Sequence, residues 1–148
     1  MTITYLKGDI WRLDVEALVI PVNTVGAMGK GLALQCAVKH RDLETLYKMK
    51  CKHRQLRMGA VMIWKRTLPY IVLVPTKTHW RLPSTTGYIY QGCVALKGLA
   101  ARERFQYVAV PWLGCGEGGL RQEDVTPIFE DVLGSDTRCQ YLIVDNTP

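Results

Sequence analysis

Short apolar runs alternate along this chain with stretches in which apolar residues recur every three or four positions. Ile3 to Leu6, residues 17–22 (opening Ala17-Leu18-Val19-Ile20), 60–64, 70–74, 107–110 and Tyr141-Leu142-Ile143-Val144 read as strands. Between them, Leu32, Cys36 and Ala37, then Leu43, Leu46 and Tyr47, carry helical spacing, with one helix expected over 41–53. Ile89, Cys93, Leu96 and Ala100 give the next helix an apolar face, with Ser84 or a neighbouring threonine as its cap. Val125, Ile128, Phe129, Val132 and Leu133 do the same for a helix over 122–133. Pro69 sits in a short basic turn between the strands 60–64 and 70–74, and Pro75 is expected to stop the second of them. Strands alternating with helices predict a three-layer α/β/α sandwich on a mixed, largely parallel central sheet.

Two of the strand-to-helix junctions are rich in glycine. The first runs Val22-Asn23-Thr24-Val25-Gly26-Ala27-Met28-Gly29-Lys30-Gly31-Leu32-Ala33, and the second Gly114-Cys115-Gly116-Glu117-Gly118-Gly119. Backbone N–H groups at such a junction can cradle an anion at a helix N-terminus, and glycine lets a ligand approach the backbone closely. A glycine turn without a ligand is the competing reading of either loop taken alone. Two such loops suggest one ligand gripped from two sides, and a diphosphate suits that arrangement. A Walker A loop needs Lys and then Ser or Thr after its second glycine, whereas Leu32 and Ala33 follow Gly31, so nucleotide triphosphate hydrolysis is disfavoured. Gly114, Gly116 and Gly119 spell a dinucleotide fingerprint, but only 29 residues follow Gly119, too few for the rest of an oxidoreductase's nucleotide domain.

Composition narrows the class. The chain has 148 residues, 48% apolar and 22% charged, expected to form a single domain, 1–148, with a proper core. No apolar run has the length of a membrane span, and residues 1–7 lack the pattern of a signal peptide. Five scattered cysteines without a CxxC pair indicate neither a disulfide framework nor a zinc ribbon, and a reducing cytoplasm fits. Cys36 with His40 and Cys51 with His53 lack further ligands at zinc spacing, so no metal and no cofactor is expected. The formal net charge is +6, and Lys48, Lys50, Lys52, Arg54 and Arg57 crowd one segment together with His53. A solvated helix face is the commoner meaning of such a cluster; attraction of a polyanion is the alternative.

Asp9 follows the first strand and a glycine, where a carboxylate can accept from an amine such as adenine N6 or close an Asx turn. Thr76-Lys77-Thr78-His79-Trp80-Arg81-Leu82-Pro83-Ser84 is a polar loop at a strand's C-terminal end, where open α/β sheets put their chemistry. With Gly8-Asp9-Ile10 and the two glycine loops, these residues resemble the macro domains. Residues 22–35, Pro75 to Arg81, and Leu113 to Leu120 are similar to three signatures of one branch. That branch holds the DarG-type antitoxin macro domains and the terminal ADP-ribose glycohydrolase.

The resemblance implies an ADP-ribose site. Asp9 would take the adenine amine, with Gly8 and a backbone contact from Ile10 beside it. Gly26, Met28, Gly29, Lys30, Gly31 and Leu32 would wrap the distal ribose and a phosphate, with Asn23 near the ribose hydroxyls. Thr76 lies beside Lys77, and Gly114, Cys115, Gly116, Glu117, Gly118 and Gly119 would cradle the diphosphate. Lys77 would be catalytic, its amine attacking the anomeric carbon of the distal ribose or capturing the ring-opened aldehyde. The branch's human enzyme has an aspartate where Gly118 stands here, which leaves Lys77 to work with Glu117, His79, substrate hydroxyls or water.

Two functions of different class follow. One is a hydrolase removing ADP-ribose from a macromolecule, foremost a nucleobase in DNA, with acyl-linked ADP-ribose and ADP-ribose-1″-phosphate as other substrates. His79, Trp80 and Arg81 would then contact the nucleic acid, Trp80 either stacking on a base or packing under its loop. The other is a reader that binds ADP-ribose without turnover. The expected partners are ADP-ribose or an ADP-ribosylated macromolecule, DNA, and an ADP-ribosyltransferase toxin counterpart, for a monomer that touches no membrane.

Overall fold

In the computed structural model, which describes residues 2–147, six strands form one sheet. These are β1 (Ile3–Lys7), β2 (Ala17–Asn23), β3 (Met62–Trp64), β4 (Tyr70–Lys77), β5 (Tyr107–Pro111) and β6 (Gln140–Asp145). The helices are α1 (Gly31–Lys39), α2 (Arg41–Lys52), α3 (Thr86–Glu103) and α4 (Gln122–Ile128), the last running on as a π-helical turn over Phe129–Leu133. The strand order is β1-β6-β5-β2-β4-β3, and every pairing is parallel except β3 with β4. This is the α/β sandwich on a mixed, largely parallel sheet that the pattern predicts.

Burial follows position in the sheet. Ala17 to Ile20 of the central β2 are all buried, as a parallel strand covered on both faces requires, whereas the edge strand β1 is mostly exposed. One layer packs α1 and α2 through Cys36, Ala37, Leu43 and Tyr47 onto Leu18 and Ile20. The other packs α3 and the C-terminal helical segment through Ile89, Leu96, Val125 and Phe129 onto Val19, Val72 and Val110. The chain leaves β2 toward β4 on one side and returns to β5 on the other. This reversal is a topological switch point, and open α/β sheets bind ligands beside such a point, at the C-terminal ends of the strands.

Two local expectations need correction. Pro75 does not end its strand: β4 runs on to Lys77, because the register with β2 shifts between Val22 and Asn23, opposite the proline. A residue that cannot donate to the ladder is tolerated at such an irregularity. Thr76 and Lys77 therefore sit on a strand and not in a loop. The strand expected over 60–64 shortens to Met62–Trp64, since Ala60 N–H closes a turn onto the Arg57 carbonyl. Of the cap residues expected for α3, the neighbouring threonine Thr85 takes the position, its hydroxyl accepting from Tyr88 N–H at 3.1 Å.

Candidate functional site

All strands but β3 are parallel, so the segments after β1, β6, β5, β2 and β4 emerge on one edge of the sheet. The loop after β2 is shaped by Asn23, which is buried. Its Oδ1 accepts from the backbone N–H of Val25, Gly26 and Ala27 at 3.1–3.2 Å and from the Tyr47 hydroxyl at 2.9 Å. Its Nδ2 donates to the Ala27 carbonyl at 2.8 Å. The carboxamide expected beside the ribose hydroxyls is thus turned into the loop and holds its form. Gly26 packs on α2, where a Cβ would lie 3.5 Å from the Lys48 Cα and 3.6 Å from the Cys51 Cβ. Met28 and Leu32 also turn inward: Met28 is buried and Leu32 half-buried against the α1–α2 core. Gly29, Lys30 and Gly31 stay exposed. Lys30 precedes α1 without a side-chain cap, so backbone N–H groups of the first helical turn face outward with the positive end of the helix dipole.

Lys77 ends β4 beside that loop, half-buried. Thr24 N–H donates to the Lys77 carbonyl at 3.1 Å, and the Thr24 hydroxyl to the Thr78 carbonyl at 3.0 Å. The Lys77 ammonium reaches back to the Trp80 carbonyl at 3.1 Å. Beyond it, His79 and Trp80 stack with centroids 5.2 Å apart, and the Arg81 guanidinium lies 4.6 Å from the Trp80 ring centre. Trp80 is 48% exposed, which rules out packing under its loop. Ser84, buried, joins the motifs: its hydroxyl donates to the Thr76 carbonyl at 2.6 Å and its N–H to the Gly118 carbonyl at 2.9 Å. Nothing in the sequence marked Ser84 for this duty, because a serine before a helix looks like a cap. Tyr47 was visible only as part of an apolar helix face.

The loop after β5 turns on glycines that need their missing side chains. Gly114 has φ +77°, and a Cβ there would sit 2.9 Å from Ile89 and from Leu120. At Gly118 a Cβ would run into the Gly114 carbonyl. Gly116 and Gly119 open onto free space, Gly119 at φ +81°, and Glu117 is exposed. Cys115 is no thiolate: burial first, then the charge of Asp124, pushes its thiol up to about 11. At the far end, Gly8 takes φ +152°, and Asp9 Oδ1 accepts from Trp11 N–H at 3.0 Å while Oδ2 lies 3.7 Å from Arg12. The Asx-type turn is therefore present, on an exposed carboxylate. Ile10 is buried, and its N–H donates to Asn146 Oδ1 at 2.9 Å. Among the described residues, no group of three or more His, Cys, Asp or Glu is placed to share a metal ion.

Residues 19–129 match the Macro domain family. This chain belongs to the macro domains. The DNA ADP-ribosyl glycohydrolase of Mycobacterium tuberculosis is 42% identical over 127 residues, covering 83% of this chain and 36% of that protein. The protein of the same name from Thermus aquaticus is 37% identical over 133 residues, covering 87% and 37%. The chain thus spans little more than a third of the length of these relatives. Among solved structures, the macrodomain of Mycobacterium tuberculosis DarG superposes with a TM-score of 0.93 at 37% identity, covering 98% of both chains. Thermosipho africanus DarTG in complex with ADP-ribose does so at 0.85 and 29% identity, covering 95% of this chain and 42% of that one.

For a macro domain of this kind, the order of emerging segments is informative. Asp9 follows β1, Asn146 follows β6, the second glycine loop follows β5, the first follows β2, and Lys77 closes β4. At about 4.8 Å per strand spacing, four spacings separate Asp9 from Lys77 by roughly 19 Å. The edge thus brings a carboxylate, two glycine loops and a lysine into one row.

Proposed function

We propose that this macro domain is an ADP-ribosyl glycohydrolase that removes ADP-ribose from a modified nucleobase in DNA, with Lys77 as nucleophile. The observation that carries the reading is the row along the sheet edge, a carboxylate at one end, two glycine loops between, and an anchored lysine at the other. Adenine lies at Asp9, the diphosphate between residues 114–119 and the start of α1, and the distal ribose against residues 26–31. Lys77 then meets the anomeric carbon. The likeness to proteins named DNA ADP-ribosyl glycohydrolase supports this substrate, and the likeness to Thermosipho africanus DarTG, solved in complex with ADP-ribose, supports the ligand.

The Trp80 carbonyl takes one N–H of Lys77, which aims the lone pair of the free amine away from its own loop. That lone pair forms a bond to the anomeric carbon as the bond to the base nitrogen breaks. The electron pair leaves with the base, which takes up the proton that Nζ sheds. Water then cleaves the Lys77–carbon bond, returning the amine and giving free ADP-ribose. The Lys77 adduct can also open its sugar ring: the nitrogen lone pair forms the C=N bond of a Schiff base as the ring C–O bond breaks and the N–H proton passes to the ring oxygen, and water hydrolyses that imine to the same products. Trp80 and Arg81, exposed at the mouth and stacked on the half-buried His79, offer a platform for a base. The protein acts as a monomer in the cytoplasm, opposite an ADP-ribosyltransferase toxin; a Thermosipho africanus relative named as a transferase–glycohydrolase fusion supports that counterpart.

A reader without turnover is the second reading, favoured by Gly118, whose position holds no acid. A gel assay separates the two, with a thymidine-ADP-ribosylated oligonucleotide and a Glu-ADP-ribosylated protein as substrates. Wild type is expected to free ADP-ribose from the DNA, and Lys77→Ala to lose this while calorimetry still shows ADP-ribose binding. Wild type that binds ADP-ribose but releases it from neither substrate is a reader.

A further inference from the structure

The site described above holds the modified nucleotide; the strand on either side of that nucleotide also needs a seat. We propose that the C-terminal end of α2 and the turn after it, Lys50 to Arg57, form a phosphate-binding track for the single strand carrying the modified base. The proposal rests on the glycohydrolase reading for its choice of partner.

Residues 48–57 contain five Lys or Arg and no Asp or Glu, in a chain whose formal net charge is +6. Lys48 is paired with Glu44 at 3.7 Å. Among the described residues, Lys50, Lys52, Arg54 and Arg57 enter no ion pair; Lys30, Arg102 and Arg104 elsewhere also enter none, but no other stretch of eight residues holds four such cations. Cations in the last helical turn are favoured by the helix dipole, which accounts for Lys50 and Lys52 but not for Arg54 and Arg57 beyond it. Nor is the segment a loose tail. Gln55 and Leu56 N–H close onto the Lys50 carbonyl, Arg54 N–H onto that of Cys51, and Leu56 is buried in the core.

Topology puts this charge beside the site. Because β3 runs antiparallel to β4, residues 53–61 lie at the same edge of the sheet as Lys77. Tyr47 donates to the Asn23 carbonyl at 2.7 Å, and Gly26 rests on Lys48 and Cys51. A continuous line of contacts therefore runs from Trp80 and Arg81 through Lys77 and Thr24 to Gly26 and on to the basic turn. Unpaired cations along one lip and an exposed aromatic on the other match a polyanion that also has bases to stack.

The test measures the anisotropy of an unmodified single-stranded oligonucleotide across roughly 50 to 200 mM salt. The variant is Lys50→Gln/Lys52→Gln/Arg54→Gln/Arg57→Gln. Its affinity is expected to fall about tenfold or more at low salt. Its log–log salt slope should become shallower by up to about 3, since each lost contact to a single strand removes about 0.7. ADP-ribose affinity by calorimetry stays as in wild type, and Arg102→Gln/Arg104→Gln, at the opposite edge of the sheet, changes nothing. If the fourfold variant fails to fold, Lys50→Gln/Lys52→Gln and Arg54→Gln/Arg57→Gln should each make the slope shallower by up to about 1.4, half of the fourfold change. A folded variant with wild-type affinity and slope overturns the track. Wild type that leaves ADP-ribose on DNA while the slope difference persists sinks the glycohydrolase reading and upholds the track.

Discussion

Asn23 illustrates how one buried side chain sets the form of a whole loop. One carboxamide organises three backbone N–H groups, a carbonyl and a buried phenol. Removing it strands several buried donors at once, each costing about 1 kcal/mol or more. Asn23→Ala is expected to lower unfolding free energy by about 2–3 kcal/mol in urea titrations and to weaken ADP-ribose binding in calorimetry. Unchanged ADP-ribose affinity would mean that the loop's form is held by Tyr47 and Thr24 instead. Gly118 makes a second point at this scale. A methyl there collides with the Gly114 carbonyl, while one at Gly116 meets open space. Gly118→Ala should cost about 1–3 kcal/mol and Gly116→Ala far less, read as the difference in thermal midpoint. Equal midpoints would show that the loop relaxes freely.

At the scale of elements, β2 and both glycine loops were legible because their signals are local: an apolar run, then glycines, then helical spacing. The extension of β4 through Pro75 was not. A proline normally ends a ladder, and only the register shift on β2, more than fifty residues away in sequence, makes room for it. Ser84 and Asn146 were hidden for a related reason. The hydrogen bond from Ile10 to Asn146 spans 136 positions, which no short-range pattern reports. The turn into β6 carries a testable example of such long-range order. Burial raises the Asp136 carboxyl, but N–H donors from Cys139 and Arg138 and the Tyr141 hydroxyl outweigh it and hold it below its ordinary value. A carboxyl lowered on folding stabilises the protein above its unfolded pKa, and that stability is lost as pH falls through the folded one. Wild type should therefore lose stability below about pH 4, and Asp136→Asn, less stable at pH 7, should lose less over the same range. Parallel pH profiles would assign the acid sensitivity elsewhere.

For the whole molecule, ADP-ribose bound as proposed along the row from Asp9 to Lys77 would tie together the ends of strands spread across most of the sheet. A ligand that binds only the native state raises stability by mass action, about 2.7 kcal/mol at a hundred times its dissociation constant. For a chain of this length that is a rise in thermal midpoint of roughly 5–10 °C. Fragments should not match it. AMP engages the β1 end and part of the second glycine loop, and ribose 5-phosphate engages the β2–β4 end. Each leaves half of the row unbridged and, at the same molar concentration, should raise the midpoint by less than half as much as ADP-ribose. The two fragments added together should also fall short, because joining them through the diphosphate makes the second contact intramolecular. A scanning fluorimetry series with the three ligands and the AMP and ribose 5-phosphate mixture measures this directly. AMP alone matching ADP-ribose would confine binding to the β1–β5 side and leave Lys77 without a sugar to attack. That outcome would remove the geometric basis for catalysis while leaving the fold and the adenine end as described.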